Sequence, residues 1–307
     1  MRPIEDQTIL ITGATDGMGR RLARELAAQG RSSCCTVETR RAGKPPWPRS
    51  ARRPAKDRLT YYRADFSSLD DVRALSRRII AGQSRLDVLV NNAGIGAGPR
   101  GEHTRSLSRD GHELRFAISY LAPFLLTRSL LQLLKASAPA RIVNVASAGQ
   151  APIDFQDVML ERGYDGARAY SQSKLALISF TFDLAEELEG TAVTANALHP
   201  ATYMNTKMVF EHVGYHLSRV EDGVAATMRL VVNPDLQGVS GRYFDRTHKA
   251  QAARQAYDRD ARARLRLLSE RLTGIRSSVV RQKFVEQIVA GTRRVPVRRP
   301  RPRRGWH

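Results

Sequence analysis

Tyr170 and Lys174 stand four residues apart in Tyr170-Ser171-Gln172-Ser173-Lys174, within a stretch of helical patterning. That spacing puts both side chains on one helix face. An ammonium beside a phenol favours the phenolate and lowers a pKa that starts at about 10. A tenfold gain in acidity is worth about 1.4 kcal/mol, so modest stabilisation brings the phenol near working pH, where a general acid/base operates. Ser147 follows a short apolar run at 141–145. In isolation, a solvated helix face would carry the same Tyr and Lys.

Three further groups accompany this pair. Thr12-Gly13-Ala14-Thr15-Asp16-Gly17-Met18-Gly19 comes directly after an apolar run and opens a helical one. Glycines there permit a tight turn and let backbone N–H groups approach a pyrophosphate at a helix N-terminus, which implicates Gly13, Thr15, Asp16, Gly17, Met18 and Gly19. A plain glycine-rich turn is the alternative. Asn91-Asn92-Ala93-Gly94 follows a second apolar run and suits a loop pressed against a flat cofactor. Asp65, with Phe66 beside it, could accept from an adenine amine or cap the helix that begins near Ser67.

These loops need elements to hold them. Strand patterns at 8–11, 86–90, 141–145, 192–198 and 239–244 alternate with helical ones at 18–29, 68–81, 108–135 and 168–189. The rhythm predicts an α/β, doubly wound, Rossmann-type parallel sheet in three layers, as a single domain. Ligands bind such sheets beyond the carboxyl ends of the strands, where strand order reverses. Each of the motifs above falls in or beside such a loop.

Composition narrows the class. Of 307 residues, 42% are apolar, enough for a sizeable core. The longest apolar run, 121–134, is interrupted by Pro123 and Arg128, so no membrane span is expected. Arg2, Glu5 and Asp6 lead straight into a strand pattern, which does not resemble a signal peptide. Cys34 and Cys35 are adjacent, the wrong spacing for a zinc site, and no metal is expected. A reduced, cytoplasmic protein is the expectation. The net charge of +20 is concentrated: 31–58 carries +7 and 276–307 carries +9, leaving +4 for the rest. Arginine density without interleaved aromatics predicts salt-sensitive, sequence-blind attraction, not specific nucleic-acid recognition.

Together, the ordered motifs resemble the short-chain dehydrogenase/reductase family, in its retinol-dehydrogenase-like branch, over 5–30 and 59–275. The resemblance implies an NAD(P)(H)-dependent oxidoreductase that interconverts an alcohol and a ketone or aldehyde by hydride transfer. It implies Tyr170 as general acid/base, Ser147 orienting the substrate, and Lys174 on the nicotinamide ribose. The glycine loop would hold the pyrophosphate, Asn91, Asn92, Ala93 and Gly94 would support the sheet and the adenosine half, Asp65 would contact the adenine, and Thr206 the carboxamide. His199-Pro200-Ala201 resembles the family's Pro-Gly turn, with residues from about 202 to 222 as a substrate lid. The lid side chains Tyr203, Met204, Met208, Val209 and Phe210 lean toward a lipophilic substrate. A homo-oligomer through the fourth and fifth helices, here 108–135 and 168–189, is also implied.

Two features depart from that pattern. Ser119 stands where the family has an asparagine thought to hold a relay water, which predicts slower turnover; a catalytically impaired, dinucleotide-binding regulator is the alternative. Pro45, Pro46, Pro48 and Pro54 forbid the helix expected after the second strand. Residues 31–44 must then supply that strand, at Cys34-Cys35-Thr36-Val37, and 31–58 is either a genuine basic loop or a stretch read out of frame. Val37 and Glu38 precede Arg40 and Arg41 at the position that chooses between NAD and NADP, so both cofactors stay open. The Arg/Pro-rich stretch 276–307 is expected to be a disordered tail.

Overall fold

The computed structural model describes residues 3, 6–29, 33–38, 59–99 and 101–275. Thr8–Thr12 (β1) is buried along its whole length, as befits a strand covered on both faces. It runs into Gly17–Ala28 (α1), where the Asp16 carboxylate caps the first turn by accepting from Gly17 N at 2.8 Å. Ser33–Glu38 (β2) and Leu59–Arg63 (β3) follow, then Leu69–Gly82 (α2), capped by Ser68 and carrying Asp70 and Asp71 in its first turn. The expected strand at 34–37 is therefore present. The rest of 31–58, and all of 276–307, lie outside the described residues.

Val88–Asn91 (β4) leads to a helix over Leu114–Ala136 (α3), shorter at its start than the predicted 108–135. Pro123 offers no N–H to the Ser119 carbonyl, and its ring crowds that oxygen. The helix widens into a π turn over Ala117–Leu121 just ahead of it. This helix is apolar and long enough to cross a membrane, but 83% of its apolar window is buried inside the fold, so it is a core helix. Ala140–Val145 (β5), Gly166–Glu187 (α4), Val193–His199 (β6), Lys207–Val213 (α5), Val220–Val232 (α6), Arg242–Asp245 (β7), His248–Ala250 (β8) and Arg259–Thr273 (α7) complete the order.

The strands form one sheet in the order β3-β2-β1-β4-β5-β6-β7-β8, parallel except for the antiparallel β7–β8 pair. Strand order reverses between β1 and β4, which opens a crevice at their carboxyl ends. Alternate side chains feed two apolar layers. Leu10, Leu89 and Ile142 pack with α2, α3 and α4, while Ile9, Ile11, Val90 and Val143 pack with α1 and α6. The predicted doubly wound, three-layer fold is the observed one. The sequence pattern had not marked β3, β8 or α6 as elements, and the strand predicted at 239–244 starts at Arg242.

The last helix, α7, closes over α3 and α4. Arg266 pairs with Asp183 at 2.8 Å, Arg262 with Glu186 at 2.7 Å, and Tyr120 Oη shares a 2.6 Å hydrogen bond with Ser269 Oγ. Part of the surface through which a homo-oligomer was expected is thus taken by the chain's own α7.

Candidate active site

The glycine loop is held by its neighbour across the crevice. The Asn92 amide donates to the Thr12 carbonyl at 2.8 Å and the Gly13 carbonyl at 3.2 Å, and the Thr12 hydroxyl accepts from Asn92 N and Ala93 N, each at 2.9 Å. Backbones approach closely enough to exclude side chains. A Cβ on Gly13, whose φ is +68°, would lie 2.8 Å from Ala93 Cα, and one on Gly19 would collide with Asn92 Nδ2 and the Gly13 carbonyl oxygen.

Beyond this loop, β5 ends at Ser147 and α4 presents Tyr170 and Lys174. Ser147 Oγ accepts from Gly149 N at 3.0 Å and hydrogen-bonds the Tyr170 phenol. Lys174 Nζ is buried, donates to the Val145 carbonyl at 3.1 Å and lies over the Tyr170 ring, 5.6 Å from its centroid. Burial lowers the lysine to a pKa of about 8. Burial also pushes the Tyr170 phenol up, the Ser147 hydrogen bond opposes this, and Tyr203 adds to it. The expectation that Lys174 would pull the phenol down is therefore corrected. In this structure the ammonium meets the ring face and a carbonyl, and what lowers the phenol is the serine.

These groups line one cavity of about 710 Å³, within the range of roughly 300–1,000 Å³ usual for small-molecule and cofactor sites. The glycine loop forms one end, and Ser147, Tyr170 and Lys174 the middle. The far wall is His199 to Met204 with Thr206 to Val209. Thr206 caps α5, accepting from Val209 N, and its methyl group lies 3.3 Å from where a Cβ on Gly17 would sit. His199 is buried against Thr202, with Nε2 to Oγ1 at 3.0 Å, and burial lowers its pKa. Ala201 is not among the residues with positive φ, so alanine fits the place of the family's glycine.

Comparison with known proteins agrees with this arrangement. The family model for short chain dehydrogenases matches residues 7–213. Retinol dehydrogenase 13 of Mus musculus is 34% identical over 294 residues, covering 89% of this chain and 85% of that protein. Retinol dehydrogenase 14 of Homo sapiens is 35% identical over 296 residues, covering 88% and 87%. A solved structure of an uncharacterised protein from Mycobacterium paratuberculosis superposes with a TM-score of 0.68 at 30% identity, covering 87% of this chain and 93% of that one. The chain belongs to the short-chain dehydrogenase family.

It is accordingly an NAD(P)-dependent oxidoreductase of the retinol-dehydrogenase-like branch, and it binds NAD(P)(H). A dinucleotide fits the residues present: Gly13, Gly17 and Gly19 line the cavity at the N-terminus of α1 and bring no side chain of their own into it.

The dehydrogenase brings most of the expected residues together, but not all of them. Gly13, Thr15, Asp16, Gly17, Met18, Gly19, Asn92, Ala93, Gly94, Ser147, Tyr170, Lys174 and Thr206 line the cavity. Asn91 does not. Its amide turns into the core, donating to Asn144 Oδ1 at 2.7 Å and Thr127 Oγ1 at 2.9 Å, so it ties β4 to β5 and α3. The Asp65 carboxylate accepts from Ser67 N at 3.0 Å and Ser67 Oγ at 2.7 Å, with Arg109 at 3.5 Å. The local turn, not the crevice, has claimed that carboxylate, and the Phe66 ring is a core side chain. Ser119 lies behind the cavity wall. It is fully buried, and its hydroxyl has no hydrogen-bond partner among the described residues. A Cβ on Gly94 would sit 3.3 Å from Lys174 Nζ and 3.4 Å from Ser119 Oγ, so both groups face the same small gap.

Among the lining residues that sequence reading missed are Gly96, Ala97, Gly149, Ala167 and Ser171. They come from loops and a helix face whose meeting depends on the sheet, although Ser171 sits inside the Tyr170–Lys174 motif itself.

Proposed function

We propose that this enzyme interconverts a lipophilic primary or secondary alcohol and its aldehyde or ketone, with Tyr170 as general acid/base, Ser147 orienting the substrate oxygen, and Lys174 holding the nicotinamide ribose. The observation that carries this reading is the meeting of Ser147, Tyr170 and Lys174 at the middle of a cavity that begins at the glycine loop. When bound, the cofactor supplies or accepts a hydride at nicotinamide C4. In reduction, the Tyr170 hydroxyl gives its proton to the substrate oxygen while Ser147 Oγ holds that oxygen by a hydrogen bond. In oxidation, Tyr170 takes the alcohol proton. Burial raises the phenol above its ordinary value, so it stands as a proton donor, the form the reductive direction needs. Ser119 faces Lys174 across the gap at Gly94, where a water could carry the proton onward.

The substrate end supports the lipophilic reading. Ile95, Ala97, Ala167, Pro200, Tyr203 and Met208 supply mostly apolar surface, and curated relatives are named for acting on retinol. An aldehyde series of increasing apolar length, run with NADH and with NADPH, tests it: kcat/KM should climb with length, and a flat series would refute the preference. A cytoplasmic setting is part of the same proposal, and cell fractionation tests it.

A pH dependence follows from Lys174. Its pKa of about 8 must rise when cofactor hydroxyls accept from the ammonium, so binding takes up a proton. Cofactor affinity is therefore expected to be highest below pH 8 and to weaken as pH rises above it. Fluorescence titration across pH 6.5–9.5 reads this, and Lys174→Met should flatten the profile at lower affinity.

A further inference from the structure

Ser147 is fixed through its backbone as well as its hydroxyl. Its carbonyl oxygen accepts two hydrogen bonds, from Tyr243 Oη at 3.0 Å and from Gln150 Nε2 at 3.1 Å. Tyr243 lies on β7, two strands away from β5 across β6, with its side chain buried. Gln150 is anchored in turn, because its Oε1 accepts from Ala253 N at 2.7 Å. Both donors reach an oxygen that the β5–β6 ladder leaves behind, for the last pair in that ladder is Val145 with Leu198.

We infer that Tyr243 is a positioning residue for the reaction: by holding the Ser147 carbonyl from β7, it aims the Ser147 hydroxyl at Tyr170. This inference rests on the functional reading above. Beyond the end of β5 the peptide of Ser147 has no strand partner to set its rotation. A donor on that carbonyl fixes the peptide plane and with it the direction of the Cα–Cβ bond, and the Gly149 N–H then holds Oγ in its rotamer. The phenol is well suited to the task. Burial holds its pKa at about 12, so it remains a donor across the working range. Asp245 and Tyr170 add to that upward shift. The other titratable groups about the Tyr170 phenol are Tyr203 from the lid and Lys174 at the ring face.

The Ser147 hydrogen bond holds the Tyr170 phenol down, so a serine that swings freely lets the phenol rise. In alcohol oxidation the rate follows deprotonated Tyr170. Tyr243→Phe is therefore expected to move the acid limb of the kcat profile to higher pH. It should also lower kcat by about three- to tenfold, the scale of one lost hydrogen bond, with cofactor Kd unchanged. In a Ser147→Ala background the same substitution should have no further effect. A structural role alone would lower the melting temperature and activity without moving the limb, and that result overturns the inference. So does Tyr243→Phe with wild-type turnover, or additivity with Ser147→Ala. Should Tyr243→Phe fail to fold, Gln150→Leu removes the second donor and is read on the same limb, where no shift also overturns the inference. Full turnover in Ser147→Ala would instead sink the underlying assignment of the site.

Discussion

Tyr170→Phe is expected to lower turnover by about three orders of magnitude, the range for losing a positioned proton donor, while leaving the affinity for NADH or NADPH unchanged. That loss is about 4 kcal/mol of transition-state stabilisation. The substitution is clean. Phenylalanine keeps the ring over which Lys174 Nζ lies, and Lys174 keeps its hydrogen bond to the Val145 carbonyl. What disappears is the cavity-lining residue's hydroxyl that interacts with Ser147. Steady-state kinetics with a lipophilic aldehyde, alongside fluorescence titration of the cofactor, separates the two effects. Turnover within tenfold of the wild type would remove Tyr170 from the proton path. Weakened cofactor binding would show that the hydroxyl shapes the dinucleotide site instead.

Gly19→Ala is expected to weaken dinucleotide binding by about a hundredfold, or about 3 kcal/mol, the upper end of what forced overpacking costs. The new methyl group would meet Asn92 Nδ2 and the Gly13 carbonyl oxygen, the donor and acceptor of the hydrogen bond that ties the glycine loop to β4's exit. Neither can retreat without strain. The Gly13 oxygen is backbone at a residue with φ of +68°, and Asn92 also holds the Thr12 carbonyl. Titration with NADH and NADPH reads the loss. Binding within threefold of the wild type would mean that the loop tolerates a wider opening than its packing implies.

Much of the fold was legible because its signals are local. Alternating apolar runs mark β1, β4, β5 and β6 to within two residues at each end. The elements that escaped notice lack such a signal. β3 reads Leu-Thr-Tyr-Tyr-Arg, an edge strand whose polar residues dilute the pattern, and β8 is three residues with exposed His248 and Lys249. The helix predicted over 108–135 lost its first turns because Gly111, at φ of +79°, breaks the backbone there. Within the site, Asn91 takes the sheet-supporting part of its motif's expected role and Asp65 takes the local-turn alternative to an adenine contact, for one reason. Each is a polar side chain beside the crevice, but a nearer partner, Ser67 for one and Asn144 with Thr127 for the other, satisfies it first.

The order of glycine loop, Asn-Asn-Ala-Gly turn, strand-end serine and Tyr-x-x-x-Lys helix was sufficient by itself to place this chain in its family, since each motif is a short stretch whose geometry is set by bonds and helical spacing. Only the folded sheet decided how those stretches act on one another. It buried Lys174 under a ring and a carbonyl, and it set the Ser147 hydroxyl against a phenol whose pKa burial raises. It also brought Tyr243 within 3.0 Å of a serine 96 positions earlier. Couplings of that kind pass through strand neighbours distant along the chain, and hydrogen bonding across a sheet leaves no periodic mark in the sequence.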